Sequence, residues 1–260
     1  MVSSAVAIIT RTQDRPLTLD RTARDILAQS FTDWQWVLVS DGGNLPGIRE
    51  VVARYAERLG DRLILVERPK SRGGGDISNI GVEASDSRYI VLHDDDDTWH
   101  PDFLAKTVRY LDRAEPNIRG VVTGSALIFE RIDRDRLLET GRKQMPAPVA
   151  PIEAPALRRN NSFPPIAFLY DRRAAATIGN YRSTIPLLTD WEFNVRFAER
   201  FGVGAIPDTL AYWHRRKVVR GASRIYANYS YRRNLDVLMQ LKREWGLPRP
   251  LWRYLLWWRY

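Results

Sequence analysis

Four consecutive aspartates, Asp94-Asp95-Asp96-Asp97, are the residues of this chain best suited to chemistry. Carboxylates set side by side raise one another's pKa unless a cation neutralises them. In a chain without cysteine, an oxygen-only cluster suits a hard divalent ion, Mg2+ or Mn2+. A bare Asp run is equally compatible with a solvated acidic turn, or with a helix N-terminus where negative charge favours the dipole. The run directly follows the apolar Tyr89-Ile90-Val91-Leu92 and precedes Trp99-His100-Pro101, which favours the ion. A second acidic candidate, Asp190, precedes Trp191-Glu192-Phe193, and from residue type alone it also reads as a helix cap. His214, within Tyr212-Trp213-His214-Arg215-Arg216, offers a neutral imidazole to a metal or serves as a structural histidine.

Such residues need elements to position them, and the first 130 residues alternate between two periodicities. Val6–Thr10, Trp36–Val39, Leu63–Val66 and Tyr89–Leu92 read as short buried strands. Helical spacing links them: Leu19, Ala23, Ile26 and Leu27; then Ile48, Val51, Val52, Tyr55 and Leu59; then residues 76–86. The order βαβαβαβ predicts a mostly parallel sheet flanked by helices. In open α/β sheets ligands bind beyond the carboxyl ends of the strands. Thr10-Arg11-Thr12, Ser40-Asp41-Gly42-Gly43 and the aspartate run all fall there. No GxGxxG follows the first strand and no GxxxxGK[ST] occurs, which excludes a dinucleotide fingerprint and a P-loop. Further on, Val121–Phe129 and Ile166–Tyr170 are candidate strands. Residues 141–165 read as a long loop, and helices are predicted near Asp190–Phe201 and Tyr226–Trp245.

The net charge of +9 is unevenly placed. Residues 215–260 hold 12 Lys and Arg against 2 acidic residues, while residues 1–214 hold 28 against 29. A nearly neutral body has no extended basic groove, so nucleic acid is not an expected partner. Residues 245–260 interleave four tryptophans with Arg249, Arg253 and Arg259, a pattern suited to peripheral contact with a membrane interface or to docking on the body. The apolar run at the N-terminus is too short for a signal or a span, so a cytoplasmic protein, with the inner membrane face as a docking surface, is expected.

Tyr89–Asp102, YIVLHDDDDTWHPD, resembles the "YIAFLDDDDxWxPD" segment of family 2 glycosyltransferases, which have the GT-A fold. Four further stretches match in the same order: VAIITRTQDRP at 6–16, Ile26–Gln29 with VLVSDGG at 37–43, GDISNIG at 75–81, and Thr189-Asp190-Trp191-Glu192-Phe193 beside the family's "EDxDL". The resemblance implies a GT-A catalytic domain over 1–215, with a nucleotide-sugar half at about 1–100 and an acceptor half at about 101–215. A helical, basic and aromatic extension would fill 216–260. It implies metal-dependent, inverting transfer from a nucleotide-sugar donor to a hydroxyl of a glycan or lipid-linked acceptor, in cell-surface polysaccharide synthesis. By the same carry-over Thr10, Arg11, Asp41, Arg72, Asp94 and Asp95 bind the nucleotide-sugar; Asp96, Asp94 and His214 hold Mn2+ or Mg2+; and Asp190 is the general base. Glu192 is a candidate acceptor contact. The rival readings are a sugar nucleotidyltransferase, which would need a glycine-rich loop where Thr10–Pro16 has no glycine, and a non-catalytic module binding through its tail.

Overall fold

The computed structural model describes residues 4–43, 45–68, 74–216, 225–226, 228 and 231–248, with Gly74 and 231–234 described by backbone alone. The elements run β1 (Val6–Thr12), α1 (Pro16–Leu27), β2 (Trp34–Asp41), α2 (Leu45–Arg54), α3 (Ala56–Leu59), β3 (Leu63–Arg68), α4 (Gly74–Glu83), β4 (Tyr89–Leu92), β5 (Thr98–Trp99) and α5 (Phe103–Arg113). There follow β6 (Ile118–Asp133), β7 (Arg136–Gln144), α6 (Ala154–Arg159), β8 (Phe168–Asp171), α7 (Arg172–Ile178), α8 (Thr189–Arg200), β9 (Gly202–Arg216) and α9 (Tyr231–Glu244).

One sheet carries them all, in the order β3-β2-β1-β4-β8-β6-β9-β5, with β7 paired to β6. Strands β1 to β4 are parallel, as the alternating periodicities predict. Their runs are apolar because helices cover both faces; Ile8, Ile9, Val37, Leu38, Ile90 and Val91 are wholly buried. The second half is mixed rather than parallel: β8 runs antiparallel to β4 and β6, while β6 and β9 are parallel. Two features differ from the sequence reading. Residues 141–165 are not a single loop, because 141–144 close the β6–β7 hairpin and Ala154–Arg159 form α6. Strand β9 has no clean alternation, since Pro207 and Asp208 fall where its register against β6 slips at Gly124; a Cβ on Gly124 would lie 2.5 Å from the Pro207 carbonyl oxygen.

The site follows from this topology. The chain builds β1, β2 and β3 outward in one direction, then returns to lay β4 on the other side of β1, and such a reversal opens a crevice at the carboxyl ends. Register fixes what lines it. Thr12 pairs with Ser40 and Ile9 with Leu92, so the loops after β1, β2 and β4 leave the sheet side by side. The GDISNIG stretch has two mechanical roles there. A Cβ on Gly81 would meet Ile9 Cγ2 at 2.3 Å, so only glycine lets α4 lie this close to β1. Asn79 exchanges two 2.8 Å hydrogen bonds with the Tyr181 backbone, tying α4 to the segment that leads into α8.

Candidate active site

A cleft of about 340 Å³ opens at the strand ends, lined by Arg11, Thr12, Gln13, Arg15, Asp41, Ile77, Asp94, Asp96, Trp213, Arg215 and Asn228. A larger surface groove lies elsewhere, along Lys106, Arg109, Tyr110 and Arg113 of α5, and holds none of the residues singled out in the sequence.

The structure gives the four aspartates four different environments. Asp94 stands at the mouth, where Arg11 Nε donates to its Oδ1 at 3.1 Å and Arg11 Nη1 to Ser78 Oγ at 3.2 Å. Asp95 is wholly buried beneath the cleft; Thr12 Oγ1 donates to it at 2.6 Å. Arg15 Nη2 lies 2.7 Å from Asp95 Oδ1 as an ion contact, out of hydrogen-bond alignment. Burial pushes Asp95 up to about 7 despite Arg15 and Thr12. Asp96 Oδ2 accepts from Arg15 Nη1 at 3.1 Å, from Asn228 Nδ2 at 2.9 Å and from Arg216 Nη2. Burial raises its pKa, but Arg15, Arg216 and Arg21 overcome that and hold it at about 2. Asp97 accepts the His214 backbone N–H at 2.8 Å, and burial together with Asp96 and Asp94 pushes it well above the carboxylate range. Mutual repulsion is thus relieved by arginines at Asp94 and Asp96, while at Asp97 it adds to the upward shift.

Behind the run lies a second buried network. Glu130, paired in register with Arg216 across β6 and β9, accepts from Arg216 Nη1 at 2.7 Å and from Arg21 Nη1. Burial raises Glu130, but His214 and Arg21 bring it down to about 2. His214 Nδ1 donates to Glu130 Oε1 at 2.6 Å, while Nε2 accepts from Thr98 Oγ1 at 2.8 Å, the arrangement of a neutral ring. Burial lowers its pKa, which agrees with that tautomer. Both ring nitrogens of the expected metal ligand are therefore engaged by protein, and Asp97 and Thr98 stand between His214 and the aspartates of the cleft.

Asp190 occupies the second position of α8, which the chain enters through Leu188 in the left-handed conformation at φ 60. The helix cap falls at Leu188, not at Asp190, but the Asp190 carboxyl still accepts from the backbone N–H of Trp191. Burial raises its pKa above the ordinary aspartate value; Asp94 adds to this and Arg11 opposes it. That coupling brings Asp190 to the Arg11–Asp94 end of the cleft. Glu192 is held by Arg196, whose Nε and Nη2 donate to it at 2.7 and 2.8 Å. The same Arg196 donates to the carbonyls of Ile178 and Asn180, and so fixes the 178–181 turn.

Of the residues expected at the nucleotide, Arg11, Asp41 and Asp94 line the cleft. Thr10 does not. It is wholly buried, with its hydroxyl accepting from Trp36 Nε1 at 2.9 Å, and Thr12, two residues on along the same strand face, lines the cleft instead. The sequence places Thr12 in the right loop, but where the strand stops is not readable from alternation alone. Arg72 lies outside the described residues, as does most of the 245–260 tail. Arg15, Arg215, Arg216 and Asn228 were not anticipated. Asn228 and Tyr226, whose hydroxyl accepts from Leu17 N at 3.4 Å, bring the first part of the C-terminal extension onto the aspartates.

Helix α9 and Trp245 are docked on the body. Val237 and Leu241 of α9 pack with Ile185; Trp245 stands edge-on to Trp191 at 5.3 Å; Lys242 Nζ donates to the Arg158 and Arg159 carbonyls at 2.6 Å each. Among the described residues no helix is long and apolar enough to cross a membrane.

Among the described residues no three His, Asp or Glu side chains surround a possible ion. A divalent ion in a phosphate site needs fewer, since one or two carboxylates and the substrate's phosphates complete its shell. Asp94 and Asp96 meet that condition: both line the cleft, and the arginine contacts fall on Oδ1 of Asp94 and Oδ2 of Asp96, one oxygen of each.

Comparison with known proteins agrees with this layout. The sequence profile of Glycosyl transferase family 2 matches residues 6–161. A "PGL/p-HBAD biosynthesis glycosyltransferase" of Mycobacterium tuberculosis is 30% identical over 187 residues, which is 70% of this chain and 63% of that protein. This chain therefore spans under two thirds of that relative's length. Among solved structures, the mannosyltransferase PcManGT from Pyrobaculum calidifontis, in complex with GDP-Man and Mn2+, superposes with a TM-score of 0.66 at 17% identity, covering 100% of this chain and 70% of that one. S. aureus TarS 1-349 in complex with UDP-GlcNAc gives 0.66 at 13% identity, covering 96% and 69%. At such identities the likeness is one of fold, and the fold is GT-A.

Proposed function

Because the chain belongs to glycosyltransferase family 2, we propose that it transfers a sugar from a nucleotide-sugar donor to a hydroxyl of a glycan or lipid-linked acceptor, with inversion at the anomeric carbon. The observation that carries this reading is the placement of a partly buried carboxyl, Asp190, within electrostatic reach of the Arg11–Asp94 pair at one end of a cleft lined by Asp41, Asp94 and Asp96. A donor lying along the strand ends would have its nucleoside at Asp41 and Thr12 and its diphosphate at Asp94, Asp96 and the arginines. The sugar's anomeric carbon would then face Asp190. The GDP-Man and UDP-GlcNAc bound by the two structural neighbours support a nucleotide-sugar as donor.

Asp190 would remove the proton of the acceptor hydroxyl as that oxygen attacks, and a base with a pKa raised toward the working pH does this more effectively. Arg11, fixed on Asp94 and Ser78, would keep the donor-side charge away from the base. A divalent ion held by Asp94 and Asp96 would supply Lewis-acid stabilisation of the leaving diphosphate. The Mn2+ in the mannosyltransferase supports a divalent ion here.

The test is turnover. Incubation with UDP-, GDP- and dTDP-sugars and Mn2+ is expected to release the nucleoside diphosphate from one of them, and Asp41→Ala should weaken that donor's KM. No release from any donor, with or without added acceptor glycans, would reject the assignment. A second expectation concerns pH. The carboxylate form of Asp190 is the active one, so log(kcat/KM) falls as pH drops through its pKa. Burial and Asp94 place that limb above the ordinary aspartate value of about 3.9. Asp95, pushed up to about 7, also titrates above the ordinary aspartate value, so the limb belonging to Asp190 is the one that Asp190→Asn removes. A wild-type profile flat from pH 8 to pH 4 would contradict the base assignment.

A further inference from the structure

We propose that the cleft's arginines, Arg15 foremost, hold the nucleotide's diphosphate directly, so that a nucleoside diphosphate binds this chain without a divalent ion. The proposal rests on the reading of the cleft as the donor site, and goes further in naming what captures the phosphates.

In an oxygen-only site the ion's first service is to mask carboxylates that would otherwise repel a diphosphate. Here that service is already rendered by side chains. Asp94 is faced by Arg11 Nε at 3.1 Å; Asp96 is faced by Arg15 Nη1 at 3.1 Å, by Asn228 Nδ2 at 2.9 Å and by Arg216 Nη2. Asp94 has one guanidinium against it, and Asp96 has two.

The arginines divide into two kinds. Arg216 is 0% exposed and spans Asp96 and Glu130, so it neutralises from behind and cannot meet a ligand. Arg11 and Arg15 keep 20% and 21% of their side chains exposed and line the cleft. A guanidinium has five N–H donors in a rigid fork. Arg15 sets Nη1 against Asp96 and Nη2 against Asp95, contacts that engage only part of the fork. That is the group matched to bidentate phosphate contact. Arg215, stacked on the Trp213 ring at 3.7 Å, lines the same cleft and adds a third cation to it. Because Arg216 already balances Asp96, Arg15 can turn toward phosphate without leaving that carboxylate unpaired. A divalent ion then adds to turnover, through its charge on the leaving group, more than to capture.

The experiment is calorimetric titration of the full chain with UDP and with GDP, in Mn2+ and in excess EDTA. Whichever nucleotide binds in Mn2+ is expected to bind in EDTA with an affinity within about tenfold. Arg15→Gln should weaken the EDTA affinity by about tenfold or more, and Arg15→Lys should restore part of it, as a charge without the fork. Asp96→Asn should leave the EDTA affinity within about threefold and abolish any gain from Mn2+. Binding that appears in Mn2+ alone, or an Arg15→Gln protein that melts normally and binds in EDTA as the wild type does, would overturn the proposal while leaving the donor site intact. Binding of neither nucleotide under either condition would overturn both readings together.

Discussion

Replacing Asp190 by Asn is expected to lower kcat by 10²- to 10⁴-fold, about 3–5 kcal/mol of transition-state stabilisation, while the donor's KM and the melting temperature stay near wild type. Asn keeps the size of the side chain and an oxygen that can still accept the Trp191 N–H, so the first turn of α8 loses little. What disappears is the ability to take a proton. The Arg11–Asp94 pair next to it is untouched, so donor binding should survive. The split matters: a residue that merely capped the helix would cost stability and leave kcat alone, whereas a base costs kcat and leaves stability alone. Steady-state kinetics with the donor found by the turnover screen, alongside a thermal melt, separates the two. A kcat loss below tenfold would move the base elsewhere.

Replacing Arg216 by Met should destabilise the fold by about 3–5 kcal/mol, the cost of removing one partner from a buried ion network. Arg216 is wholly buried and bridges Glu130 Oε2 at 2.7 Å to Asp96, while its Nε donates to the Tyr226 carbonyl at 2.8 Å. Without it two carboxylates held near 2 lose the wholly buried guanidinium that bridges them, and a backbone carbonyl of the extension loses its donor. The sign with pH follows. Carboxylates whose folded pKa lies below the unfolded value stabilise the fold above about pH 4, and that contribution is lost as pH falls toward 2. With Met at 216 the folded pKa values rise, so the deficit is largest at neutral pH and narrows in acid. Urea unfolding at pH 7 and pH 4 measures it; a shift under 1 kcal/mol at pH 7 would show that Arg15 and Arg21 suffice.

These two residues were not equally visible in the sequence. Asp190 lies in a short local pattern, an acidic residue opening an amphipathic helix, and its reading as a base comes from the resemblance of Thr189–Phe193 to the family's motif. Strands β1 to β4 and the helices between them were legible from local pattern too: continuous apolar runs report buried strands, and apolar residues every third and fourth position report helices, the second of which the structure divides into α2 and α3. The aspartate run, Arg11 and Asp41 were found because parallel strands must end at one edge, wherever the register falls.

Arg216 sits where the basic tail begins, a stretch that reads as making an electrostatic contact, and no local pattern marks it as buried. Its burial is decided by the pairing of β6 with β9, which sets it opposite Glu130 across 86 positions of chain. The same is true of Asn228 on Asp96 and of His214, whose two nitrogens are taken by Glu130 and Thr98. The sequence by itself determined which residues could carry chemistry and which edge of a sheet they reach. Which of the four aspartates faces the cleft, which keeps its charge and which is neutralised from behind was decided only in the tertiary structure. The reason is physical: a carboxyl's charge depends on desolvation and on cations within a few ångströms, and here those cations arrive from β1's following turn, from α1 and from the far end of β9.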